Sequence, residues 1–410
     1  MALLFFILFV IFLLFGRNMY KAWLNPVSLF VCIFLFAFFA LFSVDYISLD
    51  LLDGELSLLY LVSILSYMVG ITLGYKKHSK LLAQNSIDRD RKNEYAREIR
   101  ILFYIVFFFT ILHWGSSFSK YGLLGLFSSL IVTKAEDMDT NNIFLQFSMI
   151  SMFLSPYTLY YILKYNKWAS VYSFILLFTF LANLSYSRAT LFWILFLDLF
   201  AVVYYYQQQQ KKIGFKVPFL IGMVILLFGS YFSSSQEMLG KASETTGSFL
   251  GIPMNSNITE MVTYFIGPLV SPYHYLRMNV EIPDFGFTLR LLYDHLSPLG
   301  IHIKSENYMP VDFVPIPFGF NTTSIQYYIY AEGGWLWVFF FFTILGFIAD
   351  KFFWSYLKKQ DRFSLMWLCL LSLFLVMSIR SYLLTFLNII IFILVLFYIQ
   401  TINRFKRTQH

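Results

Sequence analysis

Four arginines of this sequence lie within or next to apolar stretches, where a charged side chain usually has a specific partner. Arg188 lies in the segment YSRAT, Arg277 ends SPYHYLR, Arg290 ends DFGFTLR and Arg380 lies in SIRSY. The arginine guanidinium is a planar fork that binds two phosphate oxygens at once. The four residues therefore indicate binding of a phosphate or pyrophosphate group. Two other interpretations stay open: the side chains extend to lipid phosphates, or they pair with nearby carboxylates.

Two residues near these arginines could accept a proton from a sugar hydroxyl. His274 lies three residues before Arg277, and histidine titrates near neutral pH. A lone histidine is otherwise a hydrogen-bonded structural residue. Glu332 precedes Gly333–Gly334 and is the alternative general base, unless it is simply an acidic residue at a helix start. We therefore expect Arg188, Arg277, His274 and Glu332 to be the catalytic residues.

Neutral and aromatic side chains in the same part of the chain could bind a sugar. The Asn321 amide and the hydroxyls of Thr322 and Thr323 could hydrogen-bond a sugar or cap a helix. Tyr264 and Tyr273 offer rings that could stack against sugar faces. With Arg290, Arg380 and Asn321, these two tyrosines form the predicted substrate-binding set.

Cysteine and acidic residues do not form a metal or disulfide pattern. Cys32 and Cys369 are the two cysteines, and both lie in apolar runs. The sequence has no closely spaced His–His or Cys–His pair, and Asp284 and Asp312 stand alone. The sequence therefore predicts no disulfide framework, no metal and no cofactor.

Composition excludes a soluble globular protein. The chain has 410 residues, of which 59% are hydrophobic and only 13% charged, with 50 phenylalanines and 29 tyrosines. About a quarter of the residues of an average soluble domain are charged. Lipid must therefore surround much of this apolar surface.

Eleven apolar runs are long enough, or nearly so, for the roughly 20 residues that a membrane-spanning helix needs. They are 2–15, 27–44, 56–75, 101–115, 143–163, 168–185, 189–206, 217–233, 335–349, 363–379 and 383–402. No basic residue precedes the first run and no cleavage-site pattern follows it, so we expect a retained span. The predicted fold is an all-α polytopic membrane protein.

The orientation follows from the loops between these runs, because basic residues are retained in the cytoplasm. Most of the 30 lysines and arginines fall in alternate loops, and the segment 76–100 is the most basic. This distribution predicts an outer N-terminus and a cytoplasmic C-terminus. It also explains the formal charge of +7, so a nucleic-acid partner is not expected.

One loop is far longer than a connection requires. It covers about 234–334 and is rich in aromatic residues, which indicates ordered structure on the outer face. We expect amphipathic or re-entrant helices in it. The chain is thus divided into 1–233 with the first eight spans, the outer loop 234–334, and 335–410 with the last three spans.

Three segments resemble the O-antigen polymerase (Wzy) family of repeat-unit polymerases, which are relatives of the O-antigen ligases. They are YSRAT at 186–190, YFIGPLVSPYHYL at 264–276 and FGFNTTSIQYYIYAEGGWLWVFFFFTILG at 318–346. The ligase branch usually has a histidine beside the asparagine of the third segment, where this chain has Phe320. That departure favours the polymerase.

The resemblance implies a glycosyltransferase of the GT-C type in the bacterial inner membrane, acting at its periplasmic face without a metal. A growing glycan would pass from undecaprenyl pyrophosphate to a lipid-linked repeat unit. Implied partners are the undecaprenyl-pyrophosphate-linked oligosaccharide, membrane lipids and a chain-length regulator protein. An O-antigen ligase and a flippase for the lipid-linked oligosaccharide are the alternatives.

Overall fold

The structure is a computed structural model. It describes residues 1–78, 92–128, 143–168, 170–184, 188–209, 246–277, 288, 314–316, 318–320, 323–381, 383 and 387–408. The chain forms two compact units. Unit 1 comprises Met1–Gln84, Ala242–Lys358 and Phe374–Phe386. Unit 2 comprises Asn85–Lys241, Lys359–Leu373 and Leu387–His410.

Helices account for most of the described residues. In chain order they are α1 (Ala2–Tyr20), α2 (Ile33–Leu41, preceded by a π-helical turn at Ser28–Cys32), α3 (Gly54–His78), α4 (Lys92–Ser128), α5 (Ile143–Ser148), α6 (Ser151–Tyr165), α7 (Val171–Leu184), α8 (Arg188–Gln208), α9 (Ser256–Val270), α10 (Pro272–Arg277), α11 (Ile325–Lys359), α12 (Arg362–Met377) and α13 (Leu387–Thr408). A 3₁₀ turn lies at Leu49–Leu51.

Five of the described helices are long and apolar enough to cross a membrane, at Ala2–Tyr20, Gly54–His78, Lys92–Ser116, Thr190–Gln208 and Ile325–Lys359. Shorter apolar helices lie at Ser28–Leu41, Val171–Asn183, Arg362–Met377 and Ile389–Asn403. Lipid-facing side chains such as Leu3, Leu73 and Leu336 are more than half exposed, which only a hydrocarbon surrounding makes favourable. The chain is a helical, membrane-embedded protein.

The helices overlap the predicted apolar runs, and their bounds differ where polar residues join them. The run 217–233 lies outside the described residues. The run 143–163 is divided between α5 and α6, with a turn at residues 149–150. One large difference is in α11, which begins ten residues before the predicted span 335–349 because the polar and aromatic residues from Ile325 onward are already helical.

In unit 1, α3 and α11 approach so closely that only glycine fits at the contact. A Cβ atom added to Gly70 would lie 2.0 Å from the carbonyl oxygen of Thr343, and one added to Gly346 would lie 2.2 Å from that of Tyr67. Small residues allow such backbone approach between helices in lipid, where apolar burial does not favour association.

The buried Asp350 of α11 connects three helices of unit 1 through its carboxylate. Its carboxylate accepts hydrogen bonds from the Tyr20 hydroxyl of α1 at 2.6 Å and the Trp354 indole at 3.1 Å. The second carboxylate oxygen lies 2.7 Å from Nδ1 of His78 in α3. Complete pairing makes a buried carboxylate tolerable at this depth.

Unit 2 contains a similar buried polar group. Arg362 at the start of α12 is fully buried and pairs with Glu98 of α4 at 2.9 Å. Its Nε also donates to the Tyr157 hydroxyl of α6 at 2.8 Å, and Asn403 of α13 donates to Glu98 at 2.8 Å. Four helices are thus joined by one ion pair and the hydrogen bonds around it.

Two short hairpins add strand structure that the sequence analysis did not predict. Strands β1 (Gly247–Phe249) and β2 (Ile252–Met254) are antiparallel, with Leu250 and Gly251 at positive φ in the turn. Strands β3 (Val314–Ile316) and β4 (Phe318–Phe320) pair in the same way. The Asp45 carboxylate receives two 2.7 Å hydrogen bonds from Ser248, which ties the first hairpin to the turn after α2.

Candidate functional site

The beginning of the long loop folds into α9 and α10, which carry four of the predicted site residues. Asn255 caps α9 by accepting a hydrogen bond from the Ile258 amide at 2.9 Å. All residues from 266 to 272 are buried. They hold the joint between α9 and α10 inside unit 1, so the tip of α10 has a fixed position.

Tyr60 of α3 connects this joint to the start of α11. Its hydroxyl donates to the Leu269 carbonyl at 2.9 Å and lies 2.8 Å from the Ser324 hydroxyl. The Ser324 amide donates to the Pro268 carbonyl at 3.2 Å. Two of the segments that carry the family resemblance, 264–276 and 318–346, therefore lie side by side.

A third segment joins them through the Ile325 amide, which donates to the Ser378 carbonyl at 2.9 Å. Ser378 starts the turn that contains Arg380. The structure thus brings the α9–α10 pair, the first turn of α11 and the turn 378–381 together at one end of unit 1. The sequence predicts that this end faces outward.

Arg277 is the most exposed cation of the group. Its guanidinium carbon lies 4.1 Å from the centre of the Tyr273 ring, and Tyr273 is four residues earlier on the same helical turn. Within the described part of the chain, Arg277 has no carboxylate in ion-pair distance. An exposed, aromatic-braced guanidinium without a carboxylate partner is suited to an anionic ligand.

His274 lies between these two residues on α10, and its ring meets the Tyr273 ring edge to face at 5.3 Å. Partial burial and the neighbouring Arg277 charge lower the pKa of His274 below its ordinary value. Its Nε2 is covered and has no hydrogen-bond partner among the described residues. The lowered pKa favours the neutral form of the imidazole.

Arg380 is braced in the same manner by a residue from another segment. Its guanidinium carbon lies 4.8 Å from the centre of the Tyr264 ring of α9. Both predicted tyrosines therefore support a predicted arginine. Because each tyrosine ring contacts a guanidinium, less of the ring is open to a sugar. The structure therefore gives Tyr264 and Tyr273 a role in positioning the arginines, in addition to the predicted stacking against sugars.

Glu332 lies where α11 bends. Gly334 has φ +60° and ψ −160°, a conformation open to glycine, and the helix changes direction there. The Glu332 carboxylate accepts a hydrogen bond from the Thr288 hydroxyl at 2.6 Å and another from the Thr288 amide. It therefore holds the middle of the long loop, and its role as a base stays a prediction.

Arg290, Asn321 and the side chain of Arg188 lie outside the described residues. The backbone of Arg188 starts α8 in unit 2. The roles assigned to these three residues therefore rest on the sequence alone.

The structure describes the predicted Thr323 and adds Gln326 and Ser381, which the sequence does not single out. Thr323, two residues before α11, and Gln326, in its first turn, are fully buried, and their side-chain polar atoms have no hydrogen-bond partner in the described chain. The Ser381 hydroxyl beside Arg380 is covered and unpaired as well. The one signal for these residues in the sequence is the amide of Gln326, a polar side chain inside the aromatic run that begins at Ile325.

Among the residues that the structure describes, no group of three His, Cys, Asp or Glu side chains could hold a metal ion. The chemistry of this end of unit 1 is that of two arginines, a neutral histidine and several neutral donors and acceptors. No family model matches the chain, and no curated protein or solved structure matches it either.

Proposed function

We propose that this protein polymerises lipid-linked glycan repeat units. The observation that carries the proposal is the convergence of three sequence segments at one end of unit 1. There Arg277 and Arg380, each braced by a tyrosine, accompany a neutral His274. Cations next to a proton acceptor, at a membrane-embedded site, suit a sugar bound to a lipid pyrophosphate.

The proposed reaction is transfer of the growing glycan from undecaprenyl pyrophosphate to a hydroxyl of the incoming repeat unit. The bond between the reducing-end sugar carbon and the pyrophosphate oxygen breaks, and a bond from that carbon to the acceptor oxygen forms. Negative charge grows on the departing pyrophosphate, and Arg277 and Arg380 stabilise it. His274 accepts the hydroxyl proton.

Bracing by tyrosine matters for this step because stabilisation of a leaving group requires charges that are already in place. A free arginine has several rotatable bonds and would lose entropy on binding. Stacking on Tyr273 and Tyr264 restricts the two guanidinium groups before the substrate arrives. Glu332 contributes by holding Thr288 of the long loop.

The finer architecture belongs to the same proposal. The chain would have about eleven spans, an outer N-terminus and a cytoplasmic C-terminus in a bacterial inner membrane, with a GT-C-like arrangement and the long loop in the periplasm. Arg188 and Arg290 would add cations, and Asn321 would bind sugar. A chain-length regulator protein is the expected partner.

The test is a gel of the surface glycan from cells that lack the gene. Anchors capped with a single repeat unit support the polymerase. Full-length glycan that remains on its lipid carrier indicates a ligase, and loss of repeat units from the outer face indicates a flippase. Unchanged glycan in the deletion strain rejects all three functions.

A further inference from the structure

Thr323, Gln326 and Ser381 are three neutral polar residues on two adjoining segments, and we refer to them as the neutral polar cluster. Thr323 lies two residues before α11 and Gln326 is in its first turn. Ser381 follows Ser378 by three residues, and the Ser378 carbonyl accepts the Ile325 amide at 2.9 Å. The three side chains therefore belong to two segments that a backbone hydrogen bond holds together.

The cluster is buried and unsatisfied. Thr323 and Gln326 have 0% exposure, and neither the amide nitrogen nor the amide oxygen of Gln326 has a hydrogen-bond partner in the described residues. The hydroxyls of Thr323 and Ser381 are unpaired too. Buried polar groups in folded proteins are almost always paired, so these groups, unpaired within the described residues, are candidates for binding a ligand.

The contrast with neighbouring polar residues is informative. Ser324, between Thr323 and Gln326 in sequence, bonds Tyr60 through its hydroxyl at 2.8 Å. The buried Thr263 of α9 donates to the Thr259 carbonyl at 2.7 Å. Polar groups that support the fold here are therefore paired, and the unpaired ones form a separate set.

The chemistry of the set indicates its ligand. A primary amide has donors and an acceptor, and each hydroxyl does both. The hydroxyl groups of a sugar ring also donate and accept, so they match this cluster better than a phosphate, which only accepts at neutral pH. The cluster is uncharged, whereas the neighbouring residue Arg380 carries a positive charge.

We propose that the Thr323–Gln326–Ser381 cluster binds ring hydroxyls of the sugar that is joined to the pyrophosphate. This inference rests on the proposed function, and it names the part of the substrate that the cluster recognises. Arg380 and Ser381 are consecutive residues, just as the phosphate and its sugar are covalent neighbours in the substrate. The arginine would bind the phosphate while the cluster selects the sugar.

The test uses the full-length protein in detergent with lipid-linked repeat units extracted from the deletion strain. The variants are Gln326→Met and Thr323→Val, which keep size and remove the polar groups. Thr263→Val is the matched control, because it removes a paired hydroxyl from an equally buried threonine. Chain growth is measured as a function of substrate concentration, and thermal unfolding is measured in parallel.

We expect Gln326→Met and Thr323→Val to raise KM by about tenfold or more, because an unmade hydrogen bond to substrate weakens its recognition strongly. Their unfolding midpoints should be equal to or above that of the unmodified protein, since each removes an unpaired buried group. Thr263→Val should lower the midpoint and leave KM unchanged. A purely structural role of the cluster would not raise KM while leaving the unfolding midpoint unchanged or higher.

Two results overturn the inference alone. An unchanged KM in both variants would mean that the cluster holds water, and a lowered midpoint without a change in KM would mean that it supports the fold. If the unmodified protein does not extend the repeat units at all, the proposed function is wrong and the inference is wrong with it. Extension that Arg277→Ala abolishes, with normal KM in both cluster variants, keeps the function and rejects the cluster.

Discussion

The guanidinium carbon of Arg277 lies 4.1 Å from the centre of the Tyr273 ring, and Arg277 is exposed at the end of α10. A residue four positions earlier on a helix is the natural support for such a side chain. The contact restricts the side chain, and the residue stays exposed to an anion. Arg380 over Tyr264 repeats the arrangement at 4.8 Å from a different segment.

Replacement of Arg277 by alanine should abolish chain growth or reduce it by about 100-fold to 1000-fold, the usual loss when one charge-stabilising donor is removed. Arg277→Lys should be intermediate, because lysine keeps the charge and loses the planar fork. Glycan gels and protein level are the measurements.

The chain offers a matched control for that experiment. Arg17 lies over Trp23 with its guanidinium carbon 4.2 Å from the ring centre, in the same unit but at the end of α1. Arg17→Ala removes an equivalent cation–aromatic contact, so normal glycan is expected. If Arg17→Ala and Arg277→Ala shorten the glycan equally, the effect reflects stability and Arg277 has no role in the reaction.

His274 should titrate below the ordinary histidine pKa of about 6.5, because burial and Arg277 both disfavour its charged form. The folded protein then binds fewer protons than the unfolded chain over the interval between the two pKa values. Stability should therefore decrease as the pH falls from about 6.5 through the pKa of folded His274. NMR titration of histidine-labelled protein, with His274→Gln to assign the signal, measures the pKa.

Variants of Arg277 test how far its positive charge lowers the pKa of His274. Arg277→Gln removes the positive charge, so the His274 signal should move to a higher pKa, while Arg277→Lys should leave it nearly in place. An identical pKa in all three proteins would show that the charge of Arg277 does not reach the imidazole.

Gly334 should not tolerate alanine. Its φ of +60° with ψ of −160° is accessible to glycine, and a side chain there would cost about 1–3 kcal/mol. Gly54 is the control, since a Cβ added there meets no atom within 4 Å and its φ is ordinary. Gly334→Ala should lower the unfolding midpoint and chain growth, whereas Gly54→Ala should change neither; equal midpoints for both would contradict the strained bend.

Glu332 and Thr288 should behave as one unit. Glu332→Gln and Thr288→Val each weaken the same pair of hydrogen bonds, so the double variant should lose little more activity than either single variant. A double-mutant cycle on the rate of chain growth measures this coupling. Additive losses would instead support an independent role for Glu332, such as the general base.

The local properties of this protein follow from the sequence by itself. Membrane embedding and most helical regions are visible in hydropathy, because lipid selects apolar residues one helix at a time. The grouping of Tyr273, His274 and Arg277 is also visible, since spacings of three and four residues place side chains on one face of a helix. Neither conclusion requires knowledge of how the helices pack.

Only the tertiary structure decided how distant segments meet. The Tyr60 bridge, the Ile325–Ser378 hydrogen bond and the Glu332–Thr288 pair each join residues that are far apart in the chain. Only the structure likewise shows that Gln326 is buried without a hydrogen-bond partner among the described residues. Such contacts leave no periodic pattern in a sequence, because they depend on packing that the whole unit determines.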